Sequence, residues 1–247
     1  MNAVLKLLTG IVVLVAAVAA FAPAALLDAP LAAFTQRRLR LADATGLWWH
    51  GHGAVASTDG AVRIPVSWNI DGAALARGRF VVRIGDAGDG ALRATLTLGT
   101  LRSDARDVHA RVPAMMLATL DPRLQTLTPG GTIVVDAPSL SRSSGAVTGM
   151  LDAKWMNARL VTGAAIVDVG TVALTANLAM QSATATIGNT GGDVAVAGTI
   201  ADRAGILDAD VVLRATPTAS VETRNALAML GAPDATGAVR VVWRASR

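Results

Sequence analysis

The feature that most constrains this chain is an alternation of apolar and polar residues, with a period close to two, in almost everything after Leu41. Apolar side chains take every second position in Thr171–Met180, and the same pattern recurs in Leu92–Leu98 and Val239–Arg244. Such a period predicts strands with one buried and one solvent-exposed face, which is typical of antiparallel sheet. Roughly ten to thirteen such segments predict an all-β fold of curved antiparallel sheet.

Two short segments have helical spacing instead of strand spacing. They are Pro113–Leu120 and Glu222–Leu230, and each is followed by a Pro, a Gly-containing loop and a strand. The pattern predicts two short helices, and its repetition favours two related layers of one β structure. Glycine-rich loops are predicted at Gly85–Gly90, Thr128–Gly131 and Gly188–Asp193.

The N-terminal segment has the length of a membrane span. Leu7–Leu27 carries no charge, and about 20 helical residues cross a bilayer core of roughly 30 Å. A cleaved signal peptide is the alternative, with Ala20–Ala22 as its cleavage site, but Pro23 and the length of the run favour an uncleaved transmembrane helix. The predicted domains are therefore a membrane anchor over residues 1–30 and a β-rich domain over residues 31–247.

The orientation of this span is ambiguous from charge alone. Lys6 precedes it, while Arg37, Arg38 and Arg40 follow it. The positive-inside rule, counted strictly, would put the C-terminal side in the cytoplasm. The distance of about ten residues between the span and Arg37 weakens that assignment, since the rule concerns charges close to the ends of the span.

Composition excludes several classes of function. The absence of Cys excludes disulfides, thiolate metal sites and cysteine nucleophiles. The net charge of +4 comes from 20 Arg and two Lys scattered among 17 Asp and one Glu. This distribution gives no basic stripe, so the sequence predicts no nucleic-acid partner.

Candidate metal or catalytic residues are few. His50 and His52 alternate on a predicted strand and could chelate a metal if His109 or a distant Asp supplied a third ligand. Asp107 and His109 alternate in the same way, but no nucleophile-elbow, phosphate-loop or zinc-protease motif is present. The sequence therefore favours polar surface residues here, and it predicts no enzyme, no metal, no cofactor and no small-molecule substrate.

Tryptophan supplies five of the eight aromatic residues, all on predicted strands: Trp48, Trp49, Trp68, Trp155 and Trp243. They are expected to fill a core otherwise built of Ala and Val. The alternative is that Trp48 or Trp49, on opposite faces of a strand, presents an exposed anchor to a partner. With the neighbouring His50 and His52, they are the predicted partner-contact residues.

Four segments, in order along the chain, resemble the type II secretion system protein N (general secretion pathway protein N) family. They are Gly46–Gly51, Ile64–Ile70 with Trp68, Gly149–Ala158 with Trp155, and Ala226–Gly231 before a terminal strand. Two positions depart from the family pattern: Leu47 stands where Thr or Ser is usual, and Trp48 where an aliphatic residue is usual. These departures concern the packing of one strand.

The resemblance implies an accessory inner-membrane component of the Gram-negative machine that exports folded periplasmic proteins. It implies a cytoplasmic N-terminus, one membrane span, a periplasmic β domain and a non-enzymatic scaffolding role. The implied partners are the inner-membrane platform proteins and the outer-membrane secretin. A more distant similarity to AsmA-type envelope proteins implies the alternative of lipid binding in a β-groove.

Overall fold

The computed structural model describes residues 21–86, 90–120, 128–162, 165–203 and 205–246. Within them, thirteen strands form one sheet, in which spatial order follows chain order and all neighbours are antiparallel. The predicted all-β antiparallel fold is confirmed. The strands are β1 (Leu39–Leu47), β2 (His50–Ser57), β3 (Arg63–Ile70), β4 (Phe80–Gly85), β5 (Leu92–Leu98), β6 (Arg102–Pro113), β7 (Thr128–Ser143), β8 (Ala146–Thr162), β9 (Ala165–Ala179), β10 (Ser182–Thr190), β11 (Val194–Arg203), β12 (Ile206–Ala215) and β13 (Ala238–Ser246).

The pairing register joins the alternating faces of neighbouring strands into two continuous surfaces. On one surface, Ala176 of β9 lies opposite Ala185 of β10; on the other, Thr175 lies opposite Thr186. Since side chains directly opposite each other point to the same side of a sheet, the sheet has one apolar face and one polar face.

Two clusters of buried side chains lie towards opposite ends of the apolar face. Trp68 of β3 is the largest member of the first cluster, and Val239 of β13 belongs to the second. Between them the large side chains of the apolar face are only half-buried, as at Leu96, Leu140, Leu151 and Leu174.

Four short α-helices lie among the described residues: α1 (Asp28–Phe34), α2 (Gly72–Ala76), α3 (Met116–Leu120) and α4 (Val221–Leu230). The last two correspond to the predicted helices, although α3 starts later because a turn precedes it. Ser220 caps α4 by accepting a hydrogen bond from the Thr223 N–H at 3.1 Å. The first two helices were not predicted, and a 3₁₀ helix, Ala24–Leu27, leads into α1.

The predictions of two layers and of a loop before β7 were wrong. The two helix units do not mark two layers, because all thirteen strands belong to a single sheet. The segment Thr128–Gly131 is not a loop but the start of β7. Gly131, with φ +98°, lies at an irregularity in the β7–β8 register. Such a position favours glycine, and the segment therefore has the composition of a loop. Of the predicted loop Gly188–Asp193, Gly191 and Gly192 form a positive-φ turn between β10 and β11, whereas Gly188–Thr190 belong to β10.

The two edge strands of the sheet, β1 and β13, differ in whether another segment covers them. The outer side of β1 meets the N-terminal segment: Pro23 bridges to Leu47, and the Asp28 carboxylate accepts a hydrogen bond from the Leu41 N–H at 2.8 Å. At the other edge, β13 pairs with β12 in an unbroken register and contains neither proline nor a bulge. No described strand pairs with the outer side of β13, so its backbone is an open edge.

The predicted membrane span lies mostly outside the described residues, which begin at Phe21. In the described part of that run, Ala24 is 1% exposed and packs with Trp68, and Leu27 contacts the same cluster. No described helix combines the length and the apolar character required to cross a bilayer.

Candidate partner-contact site

Trp48 and Trp49 form the turn between β1 and β2, not part of a strand as predicted. The Trp48 N–H donates to the carbonyl oxygen of Ala22 at 3.0 Å, and the Trp49 carbonyl oxygen accepts from the Ile70 N–H at 2.7 Å. The turn is therefore held from both sides, by the N-terminal segment and by the end of β3.

Two glycines permit the close packing of this turn. At Gly46, where φ is +90°, a Cβ would lie 2.7 Å from the carbonyl oxygen of His50. At Gly51, a Cβ would lie 2.7 Å from Cζ2 of Trp68, whose indole N–H donates to the carbonyl oxygen of Trp48 at 3.0 Å. Gly46 is thus required by its positive φ and the nearby His50 carbonyl group, and Gly51 by the approach of the Trp68 ring to the hairpin backbone.

Some of the five tryptophans are buried in the core, and others are exposed to solvent. Trp68 is 7% exposed and fills the first cluster, while the Trp155 indole N–H donates to the carbonyl oxygen of Gly130 at 2.8 Å. Trp49 is 39% exposed, and Trp243 on β13 is 48% exposed. Of the two tryptophans predicted to contact a partner, Trp49 presents the larger exposed surface and Trp48 is half-buried.

His50 and His52 lie side by side on the polar face, as their spacing predicts. Nδ1 of His50 lies 3.1 Å from the side-chain amide nitrogen of Asn69, and the ring is 6.1 Å from the Trp49 ring at an angle of 42°. Nε2 of His52 lies 2.8 Å from the Thr45 hydroxyl. Each imidazole is oriented by a neighbouring strand and remains exposed.

An open depression of about 500 Å³ lies beside the two histidines. Ser67, opposite His52, donates its hydroxyl to the carbonyl oxygen of Gly85 at 3.1 Å, so it is not hydrogen-bonded to an imidazole base. Arg83 lies 3.1 Å from the Asp71 carboxylate. The backbone N–H of Ala74 and the Arg83 guanidinium hold the pKa of Asp71 below its usual range. The depression is a polar contact surface that offers several hydrogen-bonding groups.

His109 is not brought to the other histidines. It lies on β6, four strands from β2, and its Nδ1–H donates to the Asp136 carboxylate at 2.6 Å. Asp107 has φ +50° and lies where the β5–β6 register shifts, so the regular alternation predicted for Asp107 and His109 is interrupted between them. No three potential metal ligands converge among the residues that the structure describes.

The pairing of His109 with Asp136 was not predicted from the sequence. The two residues are separated by 26 others and meet only through the β6–β7 register. A neighbouring pair of the same kind joins the Thr175 hydroxyl to the Asp152 carboxylate at 2.7 Å. Nothing in the local sequence pattern could have identified either contact, because each depends on strand pairing.

The four segments that suggested a family lie at defined places in the sheet. Gly46–Gly51 forms the β1–β2 turn, Ile64–Ile70 is part of β3, Gly149–Ala158 lies within β8, and Ala226–Gly231 is the end of α4. A family model described as type II secretion system (T2SS), protein N, matches residues 37–242, from just before β1 into β13. No curated protein and no solved structure matches the chain.

Proposed function

Because this chain belongs to the type II secretion system protein N family, we propose that it is an accessory scaffold for the export of folded periplasmic proteins through the outer-membrane secretin. Family membership makes the chain a component of the type II secretion system and gives it an envelope location. The match over residues 37–242, which covers nearly the whole sheet, is the observation that carries the proposal.

The proposed mode of action is docking without catalysis. The open edge of β13 offers unpaired backbone groups to which a partner can add a strand. The second contact surface is the exposed patch of Trp49, His50 and His52, together with the half-buried Trp48. The proposed partners are the inner-membrane platform proteins and the secretin.

The proposed location is the inner membrane, with one span within residues 1–30 and residues 31–247 in the periplasm. The uncharged run Leu7–Leu27 supports this placement. N-terminal sequencing of the mature protein tests it. An unprocessed start at the first residues is expected, and a new N-terminus at Pro23 would contradict the anchor.

Complementation of a deletion strain tests the role in secretion and the contact patch together. Deletion is expected to leave folded exoproteins in the periplasm, and the wild-type chain should restore their export. The triple variant Trp49→Ala, His50→Ala, His52→Ala should restore export less well, because it removes the exposed aromatic and both imidazoles of the patch.

A matched control uses two exposed residues on the polar face of another strand. Thr184 and Thr186 of β10 alternate as His50 and His52 do, and their replacement by Ala should leave export unchanged. Normal export in the deletion strain would contradict the secretion role. Equal export by the triple variant and the control would contradict only the contact patch.

Lipid binding along the apolar face is a second candidate function, in the manner implied by the AsmA-type similarity. The observation that favours it is the half-burial of large apolar side chains between the two clusters, as at Leu96, Leu140 and Leu174. Lipid extraction from the purified protein tests this candidate. Stoichiometric phospholipid would support it, and lipid-free protein of full secretion activity would contradict it.

A further inference from the structure

The order of the strands places six chain connections along one border of the sheet. Because every strand is antiparallel to the next, each connection from an odd-numbered strand to the following even-numbered strand lies on the same side. We name this border the apolar rim; it comprises the β1–β2, β3–β4, β5–β6, β7–β8, β9–β10 and β11–β12 connections with two flanking residues on each side. Neighbouring hairpins along it lie two strands, or about 10 Å, apart.

Every connection of the apolar rim carries an exposed large apolar side chain. Leu101 is 86% exposed and Met180 is 69% exposed, both at hairpin tips. The remaining four connections contribute Trp49, Leu75, Val147 and Ile206, each between 39% and 46% exposed, and Leu98, beside Leu101, is 43% exposed. Isolated exposed apolar residues are normal, but one at each of six successive hairpins forms a row.

The opposite border differs in composition. Two of its connections are turns rich in Asp and Gly, Ser57–Arg63 and Thr190–Val194, and the described residues of the β4–β5 connection include Asp86 and Gly90. Exposed large apolar residues occur in the other three, at Met115, at Ile166 and on α4. Among the described residues, therefore, only the apolar rim has an exposed large apolar side chain at every connection.

The two borders also differ in net charge. The apolar rim carries five exposed arginines against two aspartates, Asp71 and Asp202; the arginines are Arg77, Arg79, Arg102, Arg142 and Arg203. Among the described residues, only Arg102 of these five forms an ion pair, with Asp104 at 2.9 Å. The connections of the opposite border, counted over their described residues, have five acidic residues against four arginines, and Arg37 and Arg38, which precede β1, also lie at that border beside Thr58.

The chain also enters the sheet at the apolar rim. The Ala22 carbonyl oxygen accepts from the Trp48 N–H, and Pro23 bridges antiparallel to Leu47 at the end of β1. Phe21, which is 76% exposed, therefore lies beyond that end of β1. The uncharged segment before Phe21, which the sequence analysis assigns to a membrane span, joins the folded domain at this border.

We propose that the apolar rim is a membrane-docking surface that rests on a bilayer containing anionic phospholipid. Exposed apolar side chains next to cationic ones match the interfacial region of such a bilayer, where acyl chains meet phosphate groups. A tether that enters at the same border holds the rim beside the membrane, so docking costs little additional translational entropy. The sheet then stands on the membrane by its hairpin tips and directs its opposite border away from the lipid.

Depth-dependent quenching in the full chain tests this surface, and the absence of native Cys permits single-site labelling. Leu101→Cys and Met180→Cys would each carry an environment-sensitive fluorophore. The labelled chains would be reconstituted in vesicles of phosphatidylethanolamine and phosphatidylglycerol doped with spin-labelled lipid. Ile166→Cys, 63% exposed on the opposite border, is the matched control.

The expected result is strong lipid quenching and a blue-shifted emission at positions 101 and 180, with neither at position 166. Replacing the phosphatidylglycerol by a neutral lipid should weaken the quenching. The triple variant Arg77→Gln, Arg142→Gln, Arg203→Gln should weaken it too, by up to about fivefold in the docking equilibrium for each charge.

Quenching at positions 101 and 180 no greater than at position 166 would overturn the proposal. A blue shift that needs an added secretion-system protein and occurs without lipid quenching would also overturn it, because the occupant would then be protein. Quenching unaffected by both charge changes would overturn the assignment to anionic lipid. None of these outcomes bears on whether the deletion strain secretes, so the scaffolding role is tested separately.

Discussion

Asp28 is the residue that fastens α1 to the edge strand β1. Its carboxylate accepts hydrogen bonds from the Arg40 guanidinium and from the Leu41 N–H at 2.8 Å. These contacts lower the pKa of Asp28 to about 2, with the Arg40 hydrogen bond as the largest cause. A carboxyl group whose pKa is lower in the folded state stabilises the fold when it is ionised.

Replacing Asp28 by Asn should lower the free energy of unfolding by about 1–2 kcal/mol at neutral pH. In the wild type this contribution is present above about pH 4 and is lost as pH falls through about 2, because protonation removes the charge. Denaturant unfolding of both proteins between pH 2 and 7 should show the two stabilities converging at the acid end. A constant difference across that range would contradict the assigned cause.

The pair formed by Arg63 and Asp43 supplies a control for this prediction. Both side chains are well exposed, at 59% and 68%, and exposed ion pairs contribute little to stability. Asp43→Asn should therefore leave the unfolding curve unchanged within measurement error. A loss as large as that of Asp28→Asn would show that an exposed ion pair suffices, and that the contacts of Asp28 with Arg40 and Leu41 are not the specific cause.

Gly51 tests whether the Trp68 packing fixes the β1–β2 hairpin. A Cβ there would lie 2.6 Å from the backbone oxygen of Thr45 as well as against the indole, and the backbone cannot move aside cheaply. Gly51→Ala should destabilise the protein by about 2 kcal/mol. Gly188→Ala on β10, where the nearest atom would be 3.7 Å away, should cost clearly less by thermal unfolding. Equal melting temperatures for the two variants would contradict this packing.

At the level of secondary structure, the strands could be predicted from the sequence because apolar and polar residues alternate along a half-buried strand. It did not identify α2, a five-residue helix that depends on the Asp71 cap accepting from the Ala74 N–H at 3.0 Å. The β-bulges could not be predicted from the sequence for a different reason. Asp43, Asp107 and Asn157 adopt φ near +50° and shift the register within their strands, and only the pairing of neighbours reveals such a shift.

Part of the candidate site could be predicted from the sequence, because it depends only on strand periodicity. The common face of His50 and His52 follows from strand periodicity, and the structure places both there. The location of Trp48 and Trp49 in a turn depends on Gly46, on Trp68 and on the N-terminal segment. Those contacts are long-range, so local pattern alone could not give them.

The open edge of β13 makes a prediction at the scale of one strand. Val242 is 67% exposed there, and a lysine at an edge position disfavours the addition of another strand. Val242→Lys should reduce export in the complementation assay while leaving the melting temperature close to that of the wild type. Ile166→Lys on β9, an interior strand with a similarly exposed side chain, should leave both unchanged. Full export by Val242→Lys would exclude this edge as a docking site.

At the scale of the whole molecule, the fold is one long meander rather than a closed or layered core. Each strand packs mainly with its sequence neighbours, so the sheet has two ends, of which the N-terminal segment covers one. The repeated helix units suggested two layers because a sequence repeat does not specify which strands pair. This architecture gives a secretion component long exposed borders for contact.

Site-specific photo-crosslinking in secreting cells tests most directly whether this component works through its open edge. A photoreactive phenylalanine analogue would replace Val242 in one strain and Ile166 in another, both in the full chain. We expect an adduct with another component of the secretion system from position 242 and none from position 166. Export-competent cells that give no such adduct at position 242, or the same adduct at both positions, would contradict it.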